Sequence, residues 1–125
     1  MEHYFAVYGT LKRGYSNNTL LKDSEYLGTF QTEPNYTLFD GGFPIVEREG
    51  STPITVELFK VTEPSVVDRV NALEGFTGEK GHPSNWYDVD HVTLPNGIVA
   101  NMFVMDRGQS GRSNIVESGN WQRKY

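Results

Sequence analysis

Two stretches of this 125-residue chain carry residue types with chemical potential. The first is a carboxylate out of place. Residues 63–74 form the single predicted helix: Thr62 suits an N-cap, Pro64 is tolerated in the first turn, Ser65-Val66-Val67-Asp68 fits a capping box, and Gly75 supplies the stop. At 100° per residue, Val66, Val67, Val70 and Leu73 form one apolar stripe about 120° wide. Glu74 falls inside that stripe, because it follows Val70 by four residues. Helix ends fray by a residue or two, so a Glu74 that swings to water is the ordinary alternative. Held at the edge of a pocket instead, its carboxyl would have a raised pKa, through apolar surroundings and the negative end of the helix dipole. It would then accept and donate protons near neutral pH. Residues 76–85, with glycine at 78 and 81, are expected to loop around such a site.

The second stretch is His3-Tyr4-Phe5-Ala6-Val7-Tyr8-Gly9-Thr10-Leu11-Lys12-Arg13-Gly14. An aromatic and β-branched run enters a glycine, then polar and basic residues, then a second glycine. That is a strand feeding a tight loop whose backbone N–H groups can face an anionic ligand. Gly9 and Gly14 have P-loop spacing, but Tyr15 stands where the phosphate-binding lysine is required, so a nucleotide P-loop is rejected. The remaining chemistry is sparse. The chain has no cysteine, which excludes thiol catalysis, disulfides and zinc-thiolate sites. His3, His82 and His91 lack metal-ligand spacing, and Ser118-Gly119-Asn120-Trp121 is no nucleophile elbow. Asp88 and Asp90 alternate on a predicted strand and read as a solvated face, while Tyr8 and Tyr87 are by default core residues. Two Asn-x-Thr acceptor patterns, at Asn17 and Asn35, are idle without a secretory signal.

The elements that must position these residues are mostly strands: 3–8, 25–32 with a bulge at Gly28, 35–39, 43–46 limited to an edge by Pro44, 54–61, and 87–94 with 98–105 around the hairpin signal Pro95-Asn96-Gly97. Short strands with Gly/Pro turns and one helix point to a β-rich α+β domain with a barrel-like or strongly curved mixed sheet. Residues 19–22 are too few to assign. A chain of this length buries about two-thirds of its unfolded surface, and seven Phe, seven Tyr and two Trp supply large apolar area. Net charge is −5 with scattered basic residues, which disfavours nucleic acid and acidic membranes as partners. No basic region precedes an apolar stretch and no run reaches 18 apolar residues, so a soluble cytoplasmic protein is expected. No linker divides the chain. Residues 1–106 read as one domain, and residues 107–125, polar and Gly/Ser-rich before Trp121 and Tyr125, as its C-terminal tail or a lid.

Tyr8-Gly9-Thr10-Leu11-Lys12-Arg13-Gly14 after an N-terminal strand resembles the signature of the γ-glutamylcyclotransferase-like (AIG2-like) family. The resemblance continues through Phe43-Pro44-Ile45-Val46, the strand at 54–61, Leu73-Glu74-Gly75-Phe76 and Tyr87, over residues 3–95. It implies a small β-barrel with one main helix and a cavity at one end. It implies that the backbone of Tyr8, Gly9, Thr10 and Leu11 holds the glutamyl part of a substrate, with Tyr87 also lining the site, and that Glu74 is the general acid/base. Many members carry Tyr-x-Arg-x-x-Val, whereas this chain has Tyr87-Asp88-Val89-Asp90-His91-Val92, with no arginine. The implied reaction is an intramolecular aminolysis that releases 5-oxoproline from a γ-glutamyl amine, needing neither cofactor nor metal. Two other readings stay open: an acyl-transfer enzyme that removes a γ-glutamyl group from a larger metabolite, and a non-enzymatic binding module for small molecules. The partner in each case is a small γ-glutamyl-type molecule, and oligomeric state is not legible.

Overall fold

A computed structural model of the chain describes residues 3–106 and 114–122. In order, the elements are β1 (His3–Val7), a 3-10 helix (Ser16–Leu21), β2 (Glu25–Gln31), β3 (Tyr36–Asp40), β4 (Pro44–Thr52), β5 (Thr55–Val61), α1 (Pro64–Leu73), β6 (Asp88–Thr93), β7 (Val99–Val104) and β8 (Asn114–Ile115). Five strands form one sheet, ordered β2-β5-β1-β7-β6, and three form a second, ordered β4-β3-β8. β1 lies at the centre of the larger sheet, antiparallel to β5 and parallel to β7. It is buried on both faces, which explains its unbroken apolar sequence. Ala6 packs with Leu38, Val46, Val56 and Leu58 on one side. Phe5 and Val7 pack with Phe59, Val61, Val70 and Phe103 on the other.

The expected β-barrel is not formed. Among the described residues the sheets do not close, and β2 and β6 remain the edges of the larger one. The reason lies in β4, which extends well past the expected 43–46 and pairs with β3 in a sheet of its own. Its backbone bridges to the larger sheet at Met105, just past β7, where Met105 N–H donates to the Val46 carbonyl (2.8 Å) and Arg48 N–H to the Met105 carbonyl (3.0 Å). Arg48 then bridges the two sheets, with Nε 2.8 Å from Asp90 and Nη2 3.0 Å from Asp88. Asp88 and Asp90 are therefore half-buried ion-pair partners, not the solvated face that alternation suggests.

Helix α1 starts one residue later than its capping signals imply. Glu63 occupies the N-cap position without a side-chain cap bond, and Pro64 is the first helical residue. Val70 is fully buried, with Val66 and Val67 half-buried against the same cluster, but Leu73 leaves the core and is 42 % exposed. Within the expected tail or lid, β8 pairs with β3, setting Ile115 opposite Phe39. Gly119 accepts the Thr55 N–H, and Trp121 is buried in the core against Tyr15. Residues 107–113 and 123–125, Tyr125 included, lie outside the described residues.

Because Trp121 fills core volume rather than covering a surface, Trp121→Ala is expected to lower the unfolding free energy by about 3–5 kcal/mol, read by urea denaturation. A loss below about 1 kcal/mol would show that the C-terminal segment is not part of the cooperative core.

Candidate active site

At the C-terminal end of β1 the chain leaves the sheet at Tyr8 and turns sharply. Lys12 N–H donates to the Gly9 carbonyl (3.0 Å) and Tyr15 N–H to the Lys12 carbonyl (3.1 Å). The start of the 3-10 helix fastens this loop: Asn17 N–H donates to the Thr10 carbonyl (3.0 Å), Asn17 Nδ2 to Thr10 Oγ1 (2.8 Å), and Asn18 Nδ2 to the Leu11 carbonyl (2.8 Å). The Arg13 N–H donates to Glu57 on β5 at 2.8 Å, and the Arg13 guanidinium lies over the Tyr26 ring. Amid these anchors, the backbone N–H groups of Gly9, Thr10 and Leu11 donate to no protein acceptor among the described residues. Gly9 is required for a steric reason, since a Cβ there would overlap the Pro44 ring at the start of β4.

Opposite the loop lies the end of α1. Glu74 is the C-cap residue, and the left-handed Gly75 (φ +64°) turns the chain back, a conformation that disfavours any side chain. Residues 76–85 make an excursion and return. Trp86 N–H donates to the Gly75 carbonyl (2.9 Å) and Tyr87 N–H to the Glu74 carbonyl (3.2 Å). That pair of backbone bonds sets Glu74 and Tyr87 side by side. The excursion is closed on itself by Asn85, which accepts the Thr77 N–H and donates to the Glu79 carbonyl. It does not loop around the site as its glycine content suggests, since none of residues 76–85 lines the pocket.

The loop and the helix end face each other across a pocket of about 220 Å³. All six residues singled out in the sequence line it: Tyr8, Gly9, Thr10, Leu11, Glu74 and Tyr87. Ala6 and Val7 of β1, Asn17, Phe43, Pro44, Leu73, Trp86 and Phe103 join them, and of these Leu73 and the Phe43-Pro44 pair belonged to stretches that the sequence tied to the site. Trp86 carried no pattern and Asn17 only an idle Asn-x-Thr acceptor pattern, because loop returns and not periodicity bring them in. Val89, at the position where the family resemblance leads one to expect arginine, is buried and takes no part in the lining.

The electrostatics are simple. Burial alone pushes the Glu74 carboxyl up to about 7, and no hydrogen bond or ion pair among the described residues engages it. The two phenols nearby are tied off as donors, Tyr8 to the Phe103 carbonyl (2.6 Å) and Tyr87 to the Pro44 carbonyl (2.8 Å). Desolvation, reinforced by the Glu74 charge, raises the pKa of both, so they stay neutral. The arrangement pairs one carboxyl able to exchange a proton near pH 7 with a row of backbone donors suited to a carboxylate or an oxyanion. The described residues contain no cluster of His, Cys, Asp and Glu fit for a metal.

A family model described as gamma-glutamyl cyclotransferase, AIG2-like, matches residues 5–123. A Vibrio cholerae protein named "Putative gamma-glutamylcyclotransferase" is 33 % identical over 122 residues, covering 97 % of this chain and 96 % of that one. Among solved structures, an uncharacterized protein from Pyrococcus horikoshii superposes with a TM-score of 0.73 at 25 % identity, covering 94 % of this chain and 88 % of the other. A mouse AIG2-like protein shares the fold with a TM-score of 0.65 at 19 % identity, covering 83 % and 77 %.

Two outcomes follow from this geometry. Gly9→Ala is expected to force the loop off Pro44 and destabilise the protein by about 1–3 kcal/mol, as overpacked sites do. A melting temperature within a degree of the wild type would show that the loop yields freely. Glu74 has a folded pKa near 7 against 4.5 in the unfolded chain, so the folded state holds a proton that the unfolded state releases. Its burial therefore costs stability above pH 7, progressively less as pH falls from 7 to 4.5, and nothing below. In Glu74→Gln the stability gain over wild type should grow by about 3 kcal/mol between pH 4.5 and 8, at about 1.36 kcal/mol per pKa unit. Urea denaturation at both pH values checks this, and a pH-independent difference would mean that the carboxyl is solvated.

Proposed function

The chain belongs to the gamma-glutamyl cyclotransferase, AIG2-like family, and from that premise we propose that it releases 5-oxoproline from a γ-glutamyl amine, with Glu74 as general acid/base. The observation that carries this reading is the half-buried, uncompensated Glu74 carboxyl across the pocket from the unengaged N–H groups of Gly9, Thr10 and Leu11. The substrate supplies both reaction partners. Its α-amine attacks its own γ-carbonyl carbon, a C–N bond closes the five-membered ring, and the bond to the leaving nitrogen breaks. The α-ammonium loses two protons in total and the departing nitrogen gains two, so the product amine leaves as its ammonium ion. Glu74 takes the first proton from the α-ammonium to free the nucleophile and returns one to the leaving nitrogen.

The chain's own contribution is chiefly positional. Holding the glutamyl portion folded converts the attack into a well-oriented intramolecular event, where effective molarities reach about 10⁵ M or more. The loop N–H groups serve the substrate α-carboxylate or the oxyanion that develops on the γ-carbonyl. A carboxyl with a pKa near 7 gives proton transfer its best compromise at neutral pH and adds about 10²–10⁴-fold. Both tyrosines act through shape, since their hydroxyl protons are already committed. Incubating wild type and Glu74→Gln with a panel of γ-glutamyl amines and measuring 5-oxoproline tests the assignment. Loss of at least about 10²-fold in kcat in the variant is expected; equal activity would remove Glu74 from the mechanism.

A further inference from the structure

The pocket has an outer half that ring closure does not use. Its mouth is formed by Phe43, Leu73 and Trp86, which are 40 %, 42 % and 62 % exposed and rank among the most exposed large apolar residues described. They come from three separate segments: the turn before β4, the last residue of α1, and the return from the 76–85 excursion. Phe43 and Trp86 meet edge to face with ring centroids 6.0 Å apart, and Trp86 leans on Tyr87 at 6.3 Å. The Trp86 backbone is fixed by its bond to the Gly75 carbonyl, with its Cβ against Gly75. An apolar cluster gathered from three segments and left in water at the rim of a pocket marks a binding surface.

Charge narrows the ligand. Among the described lining residues there is no lysine, arginine or histidine, and Glu74 is the only carboxylate. A leaving group with its own carboxylate, as in a γ-glutamyl amino acid or peptide, would find no cation there and would lie near an acid. The pocket is also smaller than the ~300–1,000 Å³ of drug-sized ligand sites. With the glutamyl portion directed at the loop N–H groups and the γ-carbonyl at Glu74, the amine substituent must lie along the mouth. Resting on the cyclotransferase reading, we propose that Phe43, Leu73 and Trp86 form the leaving-amine subsite, selecting γ-glutamyl amides of uncharged aromatic monoamines over γ-glutamyl amino acids and peptides.

The test measures kcat/KM for 5-oxoproline release from γ-glutamyl-phenethylamide, γ-glutamyl-methylamide and γ-glutamylglycine. Wild type is expected to favour the phenethylamide by about 10-fold or more, the scale a hydrophobic pocket contributes per substituent. Trp86→Ala is expected to compress that ratio at least fivefold, mainly through KM, by analogy with loss of ground-state binding. Phe43→Ala should do the same, and serves in its place if Trp86→Ala fails to fold. Equal wild-type kcat/KM across the three amides overturns the subsite. So does a ratio that survives both substitutions, including the case where Trp86→Ala instead lowers the sedimenting mass, which would assign the patch to self-association. Absence of 5-oxoproline from all three amides overturns the cyclotransferase reading itself, and the subsite with it.

Discussion

A half-buried carboxyl group with no cation beside it among the described residues is the constraint on which the site depends. Most buried carboxylates are neutralised by a partner. Glu74 has none among the described residues, so its environment is resolved through its own protonation, near pH 7. The phenols that might have shared its charge are committed to the Phe103 and Pro44 carbonyls. Those same bonds tie β1 to β7 and the β4 start to the β6 start. The polar groups around the acid are thus satisfied by the scaffold and leave the acid itself unsatisfied. Such sites are retained at the expense of stability, in keeping with functional groups elsewhere.

The scaffold positions the acid by ending a helix at it. Glu74 is the last residue before a left-handed glycine, and its carbonyl takes the Tyr87 N–H. The helix terminus and the strand that follows are therefore one unit, although ten residues of chain separate Gly75 from Trp86. The opposing loop has the inverse logic. Its carbonyls and side chains are bound by Asn17, Asn18 and Glu57, so its remaining N–H groups stay aimed without help from a ligand. Preorganised donors of this kind need no rearrangement as charge develops.

Much of this was legible in the residues. The strand boundaries of β1, β5, β6 and β7 follow from β-branched runs and the Pro95-Asn96-Gly97 turn, because local patterning and tertiary structure agree there. Glu74 stood out because its helical phase is wrong for a surface carboxylate, and the structure places it at the pocket. What was illegible depends on non-local geometry. The absence of barrel closure turns on how far β4 runs beside β3, which a four-residue apolar run cannot report. Leu73 obeys the apolar stripe but sits at a helix end that overhangs the pocket, so periodicity misplaces it. Asp88 and Asp90 alternate like surface residues, and only the reach of Arg48 from another sheet buries them. Trp121 is separated from its core partners by most of the chain, and its polar neighbours in sequence disguise it.

The bond from Lys12 Nζ to the Trp121 carbonyl, at 2.6 Å and out of water, couples the loop near the start of the chain to a residue more than a hundred positions later. The consequence concerns the order of events during synthesis. The loop residues leave the ribosome early, yet the side chain that follows them has its partner only once residue 121 has been made. Until then a buried ammonium would lack its acceptor, and the loop would be held by Asn17, Asn18 and Glu57 alone. A nascent chain therefore carries the 9–14 loop long before it can lock it, and maturation of the pocket is timed by its latest-made contact.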